Sequence, residues 1–389
     1  MNFNWQLIND SITNSDKKAL TDFINTPNQR FTNGSKVKEF EKAWSDYMGC
    51  SYSVFVNSGA SANYIMASIM KEEKGLGEVI VSPLGWVSDV APLVNLGFTP
   101  VFVDISMENM SITLENIKKA MTPKTVGVSL VHVLGFNAIT DEMVNFCKRY
   151  NLFLIEDCCE AHGATYKGTK VGVFGDVSNF SFYFGHHITT IEGGMVCTND
   201  EKLYEQALLF RSHGMTRGVS NRIEEHYEKK YPDLNPLFTF AVPGYNMRNQ
   251  EINAVLGLEQ LKRLQYNCDK RRDNFARWLE MLDHNHFYTD FYQNGNSNFA
   301  LPLILRKKDL ELFEKCCILL DEQKVEYRVG TAGGGNQARQ PYLEKYDFRT
   351  KDLSNVDHVH DFGLYIGNHP ELTPYQIDTI CLKLNEEVK

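Results

Sequence analysis

Two adjacent histidines are the residues in this sequence whose type and position most readily suggest chemistry. His186 and His187 lie between an apolar run at 179–184 and a strand-like segment at 193–198. A polar loop held between two strands can be both exposed and well positioned. A neutral imidazole in such a loop can accept a proton near pH 7. A histidine pair is also common in purely structural hydrogen bonding, so the residues alone leave both interpretations open.

Two carboxylates follow a second apolar run. Residues 151–157 read as a buried strand that ends in Asp157, and Glu160 comes three residues later. A carboxylate at a strand end can simply cap a helix. It can also hold a protonated ring nitrogen beside it, because a buried negative charge favours the cationic form of its neighbour.

A run of small residues follows the short strand predicted at 53–56. Gly59, Ala60 and Ser61 lie between that strand and an apolar helical run. The first N–H groups of a helix are unpaired and its dipole favours negative charge, so this junction could hold a phosphate. The alternative is that Ser61 only caps the helix.

These candidates fall at the ends of elements that alternate along the chain. Strands are predicted at 53–56, 78–83, 100–105, 126–135 and 151–157, with helices over 110–121 and 141–150 between them. This alternation predicts a mostly parallel sheet flanked by helices, in which ligands gather at the carboxyl ends of the strands. The pattern changes near residue 252, to a helix over 251–283, a strand at 299–305, a helix at 308–321 and a strand at 325–328. The sequence therefore predicts a large α/β domain at 1–252 and a smaller α+β domain at 253–389.

Composition excludes several classes of protein. The net charge of the 389 residues is −9 and there is no basic block, so nucleic acid is not an expected partner. The N-terminal residues lack the pattern of a signal peptide, and no run of about 18 apolar residues predicts a membrane span. Nine scattered cysteines without a Cys-x-x-Cys motif predict reduced thiols in a cytoplasm and no metal site.

The segment around the histidine pair resembles a known family. Ser181-Phe182, followed by His186-His187-Ile188-Thr189-Thr190-Ile191-Glu192-Gly193-Gly194, is similar to the cofactor-lysine segment of the sugar aminotransferases that use pyridoxal 5'-phosphate. The resemblance extends from about residue 30 to the C-terminus, and it implies the aspartate-aminotransferase fold. His186 stands at the lysine position, which is typical of a branch that removes the C3 hydroxyl of a nucleotide-linked 4-keto-6-deoxyhexose. Glu160 fits the same branch, since most aminotransferases of the family have glutamine there.

The resemblance also implies roles for individual residues. His186 is the expected catalytic base. Trp86 would stack on the cofactor ring, Asp157 would face its nitrogen and Glu160 its 3-hydroxyl. The cofactor phosphate would be held by Gly59, Ala60, Ser61, Ser181 and Asn246, and substrate contacts are expected from His213, Arg217, Arg248, Arg328, Asn336 and Arg339. Because the family's Gly-Tyr-Asn-x-Arg loop reaches the neighbouring active site, the resemblance implies a homodimer with shared sites. The glycine-rich stretch at 331–341 is expected to close over the sugar, and His187 is expected to be structural.

Histidine in place of lysine changes the expected reaction. The family's lysine binds the cofactor covalently and also moves a proton, whereas an imidazole can only move the proton. The expected cofactor is therefore the pyridoxal/pyridoxamine 5'-phosphate pair, with L-glutamate as amino donor. The expected substrate is GDP-4-keto-6-deoxymannose, and the product is a 3,6-dideoxysugar for a surface polysaccharide.

Three alternatives stay open at this point. One is a dehydratase acting on CDP-4-keto-6-deoxyglucose with a reductase, although residues 198–267 contain none of the cysteines of its iron–sulfur members. Another is a sugar aminotransferase that uses a different lysine, Lys167 or Lys170. The last is a scaffold that binds the cofactor or a partner without turnover.

Overall fold

The computed structural model describes residues 4–330 and 334–388, and in this part of the chain helices and strands have the following bounds. The helices are α1 Asn14–Asn25, α2 Ser35–Met48, α3 Gly59–Lys74, α4 Ala91–Leu96, α5 Leu114–Ala120, α6 Asp141–Arg149, α7 Glu201–Arg211, α8 Asn221–Lys230, α9 Glu251–Leu261, α10 Leu264–Met281, α11 Leu310–Glu322, α12 Ser354–Phe362 and α13 Pro374–Glu386. The strands are β1 Tyr52–Val56, β2 Glu78–Val81, β3 Thr99–Phe102, β4 Thr125–Val131, β5 Phe153–Asp157, β6 Thr165–Tyr166, β7 Thr169–Lys170, β8 Val177–Ser181, β9 Gly194–Thr198, β10 Ala300–Ile304, β11 Tyr327–Val329, β12 Arg349–Thr350 and β13 Gly363–Gly367.

Eight strands form one large sheet in the order β1-β9-β8-β5-β4-β2-β3-β12. In the spatial run β8-β5-β4-β2-β3-β12 every strand is parallel to its neighbours. Strand β9, in contrast, is antiparallel to both β8 and β1. The predicted mostly parallel sheet is therefore confirmed. The carboxyl ends of β1, β2, β4, β5 and β8 consequently lie at one edge, where their following residues can meet.

Consecutive residues of the central strands supply two apolar cores, one on each face of the sheet. In β5, Phe153 and Ile155 belong to the core that includes Ile65 of α3, whereas Leu154 belongs to the core that includes Trp44 of α2. Successive side chains of a strand point to opposite faces, so a strand with helices on both sides must be apolar throughout. This explains why the sequence reads here as continuous rather than alternating hydrophobic runs.

The C-terminal part of the chain builds a separate antiparallel sheet, β10-β13-β11. A third apolar core, which includes Trp278 of α10 and Ile380 of α13, lies against this sheet. Two segments cross between the parts of the molecule. Trp5 bridges Val325 and donates its indole N–H to the carbonyl of Gly367 at 2.8 Å, and β12 returns to pair with β3 in the large sheet.

The helix predicted over 110–121 begins later than expected. Met110 has a left-handed φ of 56° and cannot belong to a right-handed helix. Thr113 caps the N-terminus instead, in a reciprocal capping box with Asn116. A Thr-x-x-Asn signal therefore fixes the start of α5.

The single helix predicted over 251–283 is interrupted between α9 and α10. The break is held by tertiary contacts: Gln260 donates to Asp16 at 3.1 Å, and Arg263 forms an ion pair with the same carboxylate at 2.5 Å. A sequence pattern within one helix cannot show a partner about 245 residues away.

No helix in the described ranges offers a long enough apolar stretch to cross a bilayer.

Candidate active site

A cavity of about 280 Å³ opens at the carboxyl edge of the large sheet. The segments that follow β1, β2, β5 and β8 all contribute to its wall, as the fold prediction requires. Eight of the predicted site residues line it together: Gly59, Ala60, Trp86, Asp157, Glu160, Ser181, His186 and Arg328. The fold therefore brings predicted residues from five separate segments to one cavity.

His186 lies in the turn after β8, where its backbone N–H donates to the carbonyl of Tyr183 at 3.0 Å. Its ring packs against Phe299 and His162, with ring centres 5.2 and 5.9 Å apart. Nδ1 is buried and has no hydrogen-bond partner in the described part of the chain. Burial, assisted by the positive charge of Arg271, lowers the pKa of His186 to about 4. The imidazole is therefore neutral at physiological pH and can take up a proton from a molecule in the cavity.

His187 is held differently from its neighbour. Its Nε2 lies 3.0 Å from the carbonyl oxygen of Ser297, and its own carbonyl accepts a hydrogen bond from Asn267 at 2.9 Å. The residue is fully buried and does not line the cavity. These contacts fix the segment that presents His186.

Asp157 ends β5 and is oriented by three donors. Its carboxylate accepts from the side-chain amides of Asn63 and Asn179, at 2.8 and 3.1 Å, and from the backbone N–H of Cys159 at 2.9 Å. The three donors fix the orientation of a carboxylate that lines the cavity.

The N-terminus of α3 reaches the same cavity. The cap is Ser58, whose Oγ accepts from the N–H of Ser61 at 3.0 Å, so the alternative that Ser61 caps the helix is wrong. Gly59 packs so closely that a methyl group there would lie 2.7 Å from Cβ of Ser181. Helical N–H groups and the Ser181 hydroxyl thus converge on one corner, a donor set that suits a phosphate. Ser61 itself lies outside the cavity lining.

Glu160, Arg328 and Tyr365 form another part of the cavity wall. Glu160 accepts from the N–H of Leu134 at 2.7 Å, and burial raises the pKa of this carboxyl to about 7. The Arg328 guanidinium donates to the Tyr365 hydroxyl at 3.4 Å. Trp86, with 52% of its surface exposed, stands at the mouth of the cavity, where its ring can cover a planar ligand.

Four predicted site residues lie on a pair of segments beside the end of β1. His213 donates its N–H to the carbonyl of Tyr245 at 2.6 Å, Asn246 bridges Ser212, and Arg248 bridges Val56. The guanidinium of Arg217 lies over the ring of Phe238 at 5.8 Å. None of these four residues, His213, Arg217, Asn246 and Arg248, lines the cavity of its own chain.

Asn336 and Arg339 are also placed away from the cavity. Asn336 donates to Asp357 at 2.9 Å, and Arg339 forms ion pairs with Asp357 and Asp361 at 2.6 and 2.9 Å. Both residues connect the 336–339 turn to α12. Residues 331–333 of the glycine-rich stretch predicted to close over the sugar lie outside the described part of the chain.

Several lining residues were missed by the sequence analysis. These are Ser58, Ser88, Asp89, Cys159, Tyr183 and Phe299, together with Tyr365 of β13. Most of them lie within three positions of a predicted site residue, so the strand-end pattern that located the site could also have located these residues. Tyr365 lies in β13 of the small sheet and Phe299 directly precedes β10, and no local pattern connects them with His186.

One buried group has the composition of a metal site. Ligand atoms of His132, Glu156 and Cys158 lie within 4.8 Å of one another. Glu156, however, already accepts the N–H groups of Gly172, Phe174 and Gly175 at 2.9, 2.8 and 2.7 Å. His132 accepts at Nδ1 from Ala138, so its Nε2 carries the proton and donates to Glu156. The donors and acceptors satisfy one another, which is the pattern of a structural network.

The set of groups fits a phosphorylated pyridine. A helix N-terminus and a serine suit the phosphate, and a fixed carboxylate suits the ring nitrogen. The buried Nδ1 of His186 has no hydrogen-bond partner among the described residues, which is typical of an atom that binds a ligand or water. A mostly parallel sheet with such a site at its carboxyl edge defines the class of pyridoxal-phosphate enzymes with the aspartate-aminotransferase fold. Within that class, residues 10–385 match the DegT/DnrJ/EryC1/StrS aminotransferase family, and the chain belongs to it.

Two relatives and one solved structure share the name of a single dehydratase. The chain is 34% identical to the GDP-4-keto-6-deoxy-D-mannose 3-dehydratase of Yersinia pseudotuberculosis, over 92% of this chain and 90% of that protein. It is 30% identical to the protein of the same name from Escherichia coli O55:H7, over 94% and 95% of the two chains. A crystal structure of GDP-4-keto-6-deoxymannose-3-dehydratase with a trapped PLP-glutamate geminal diamine superposes with a TM-score of 0.89, at 29% identity over 99% of this chain and 100% of that one.

The buried histidines predict acid sensitivity of the cofactor-free protein. Because the pKa of His186 falls from 6.5 to about 4 on folding, the unfolded chain binds more protons between these values. The free energy of unfolding should therefore fall as the pH drops through that window, by about 3 kcal/mol for this residue alone. Denaturant titrations between pH 7 and pH 4 measure the slope. It should be shallower in His186→Asn and unchanged in His226→Asn, which alters an exposed histidine on α8; an equal slope in all three proteins would contradict the assignment.

Proposed function

We propose that this chain removes the C3 hydroxyl of GDP-4-keto-6-deoxy-D-mannose, with pyridoxamine phosphate as cofactor and L-glutamate as amino donor. The single observation that carries the proposal is the neutral His186 at the position of the family's cofactor lysine, in a cavity that no lysine lines among the described residues. A site without a lysine has no group for covalent attachment of the cofactor, yet it keeps a base. The product would serve 3,6-dideoxysugar synthesis in the cytoplasm. The nine scattered cysteines favour that reducing compartment, because their spacing is not that of a disulfide framework.

The cofactor site would be built from both ends of the cavity. Gly59, Ala60 and Ser181 would hold the phosphate, with Ser61 and Asn246 as further predicted contacts, while Asp157 would face the ring nitrogen and Trp86 the ring. When bound, the cofactor supplies a ring that accepts the electron pair left by breaking a C–H bond. The carboxylate of Asp157 supports this property, because it stabilises a protonated ring nitrogen.

His186 would move the proton. Its imidazole is neutral and is held by packing against Phe299 and His162, so it can accept the C4′ proton and later return a proton to the departing hydroxyl. Glu160, with a pKa of about 7, would place a partly protonated carboxyl near the cofactor's 3-hydroxyl. Arg328 and the more distant His213, Arg217, Arg248, Asn336 and Arg339 stay predicted substrate contacts.

An aminotransferase with another lysine is disfavoured by the positions of the two candidates. Lys167 is paired with Asp141 at 2.5 Å, and Lys170 lies over the ring of Tyr47 at 4.4 Å. Both belong to the β6-β7 hairpin segment and neither lines the cavity. A scaffold that binds the cofactor without turnover is disfavoured by two observations. Hydrogen bonds from Asn63 and Asn179 orient the Asp157 carboxylate, and Nδ1 of His186 has no partner among the described residues.

The choice of nucleotide rests on two comparisons. Two relatives are named for the GDP sugar. A solved structure of a mutant of the same dehydratase with bound GDP-perosamine also matches this chain, with a TM-score of 0.89 at 28% identity. The experiment that tests it compares kcat/KM for GDP-4-keto-6-deoxymannose and CDP-4-keto-6-deoxyglucose, with glutamate present and no reductase. The GDP sugar should be the better substrate by at least a factor of about 10, the effect of one or two direct base contacts. A preference for the CDP sugar would support the alternative.

We also propose a homodimer with active sites shared between the subunits. Leu234, Leu237, Phe238 and Phe240 are each more than half exposed in one chain, close in sequence to the Asn246 and Arg248 predicted to reach a neighbouring site. An exposed apolar cluster of this kind favours association with a second copy.

Complementation tests the shared site. His186→Asn and Arg248→Ala should each be inactive alone, whereas a mixture allowed to exchange subunits should regain up to about a quarter of wild-type activity, since half of the dimers then contain one intact site. Mixed dimers isolated with two affinity tags, each of which holds one intact site out of two, should show about half of wild-type activity. A mixture of two variants at His186 serves as control, and the absence of any recovery from the first mixture would contradict sharing.

Restoring a lysine tests the alignment of the histidine. His186→Lys should bind pyridoxal phosphate covalently, so that borohydride fixes the cofactor to the protein and mass spectrometry finds it on residue 186. His187→Lys is the matched control, because that side chain faces Ser297 rather than the cavity. Trapping on residue 187 and not on 186 would show that the roles of the two histidines are reversed.

A further inference from the structure

Two buried asparagines hold the Asp157 carboxylate through the same oxygen. The side-chain amide of Asn63 donates to Oδ2 at 2.8 Å, and that of Asn179 donates to Oδ2 at 3.1 Å. Among the hydrogen bonds of the described residues, Oδ1 accepts one, from the backbone N–H of Cys159 at 2.9 Å. A carboxylate oxygen offers about two acceptor positions. Oδ2 is therefore fully occupied, while Oδ1 keeps one position for a further donor.

Both amides connect this carboxylate to the helix that bears the proposed phosphate corner. Asn63 belongs to α3 and follows Gly59 by four residues, a spacing that places both on one face of the helix. Gly59 and Ala60 line the cavity, whereas Asn63 does not. Asn179 also donates to the carbonyl oxygen of Gly59, at 3.4 Å. The contacts of Asp157 therefore run to the N-terminal turns of α3 and not to the cavity alone.

The amide of Asn63 has a second contact, with the segment that carries Trp86. It lies 3.5 Å from Oγ of Ser88, two residues after that tryptophan. Asn63 is only 7% exposed, and inside a protein a hydrogen bond is electrostatically stronger than in water. One side chain thus connects the helix, the carboxylate and the segment at the mouth of the cavity.

We propose that Asn63 is a positioning residue of the cofactor site, which fixes the Asp157 carboxylate relative to the N-terminus of α3. The chain would then hold the two ends of the proposed cofactor, its phosphate and its ring nitrogen, at a set separation. Without the amide of Asn63, Oδ2 keeps only the bond from Asn179, and the carboxylate gains freedom to rotate. The charge that supports a protonated ring nitrogen is then less well placed. The inference rests on the proposed cofactor, and it predicts a change at the ring nitrogen rather than at the phosphate.

The test follows the ring nitrogen in pyridoxamine phosphate that is labelled with ¹⁵N in the ring and bound to the protein. The NMR signal of this nitrogen shows the pH at which its proton leaves. In Asn63→Leu, which keeps the side-chain volume and removes the amide, that pH should be lower than in the wild type by about one unit, the lower end of what an opposite charge at close range contributes. Affinity for inorganic phosphate should be unchanged, because Gly59, Ala60 and Ser181 are intact. An unchanged ring titration in folded Asn63→Leu overturns the proposal.

Asn274→Leu is the matched control for loss of a buried amide. Asn274 is 7% exposed like Asn63, and its amide also makes two hydrogen bonds, to Asn368 and to the carbonyl of His369, both at 3.1 Å. It belongs to α10 and does not line the cavity. This variant should lose stability without moving the ring titration. Equal shifts in both variants would show that Asn63 acts through stability alone and would overturn the proposal.

A measurement on the wild type covers the case in which Asn63→Leu does not fold. With asparagine labelled with ¹⁵N, the side-chain amide signal of Asn63 should move when pyridoxamine phosphate binds, while that of Asn274 should stay. An Asn63 signal that does not move overturns its role. If the wild type does not bind pyridoxamine phosphate, the proposed cofactor itself fails together with the inference. Binding with an equal ring titration in wild type and variant refutes only the role of Asn63.

Discussion

His186→Asn is expected to lower the rate of dehydration by about 10³-fold, since a positioned general base contributes about 10² to 10⁴. Asparagine is close to histidine in size and can still pack against Phe299 and His162. Cofactor binding should therefore change by only a few-fold, because Asp157 and the N-terminus of α3 are untouched. Single-turnover reaction of the pyridoxamine-phosphate form with the keto sugar measures the chemical step, and fluorescence titration measures binding.

His187→Asn is the matched control for that experiment. It removes an imidazole of the same kind from the next position, one that contacts Ser297 outside the cavity. It should lower stability more than it lowers the rate. Full activity in His186→Asn, or equal losses in both variants, would remove the proposed role of His186.

Asp157→Asn is expected to reduce turnover by about 100-fold, because an opposite charge at close range shifts a pKa by about one to three units and the ring nitrogen would lose its proton. The amide can still accept a hydrogen bond from Asn63, so the fold should persist. The loss should be accompanied by a change in the absorption spectrum of the bound cofactor. Rate and spectrum are measured on the same sample.

A cofactor analogue methylated on the ring nitrogen separates charge from structure in that variant. The methyl group makes the positive charge permanent, so the analogue should recover part of the activity of Asp157→Asn while adding nothing to the wild type. If the analogue does not rescue a folded variant, Asp157 has a role other than supporting the charge of the ring nitrogen.

The sequence was most informative where short-range rules apply. Apolar runs followed by small or polar residues marked strand ends, and in a parallel sheet those ends share one edge. That geometry alone brings Gly59, Trp86, Asp157 and His186 to one cavity. The step from a cavity to a reaction needed the resemblance, because a histidine pair by itself is compatible with structural hydrogen bonding.

Long-range contacts explain what the sequence could not predict. The helix break near residue 262 depends on Asp16, about 245 residues away in the chain. Tyr365 reaches the cavity from a strand of the small sheet.

Residues on the 213–248 segments illustrate a different limit. A role in a neighbouring subunit is a property of an assembly, and within one chain Asn246 bridges Ser212 and Arg248 bridges Val56. Their proposed roles depend on the dimer, which the complementation experiment examines directly.

The most direct test of the central claim is the mass of the product. The purified protein is incubated with pyridoxal phosphate, glutamate and GDP-4-keto-6-deoxymannose, and the sugar nucleotide is examined by mass spectrometry. We expect a sugar that has lost its C3 oxygen, with release of ammonia and 2-oxoglutarate. An amino sugar that keeps this oxygen would contradict dehydration and identify the chain as an aminotransferase despite its histidine.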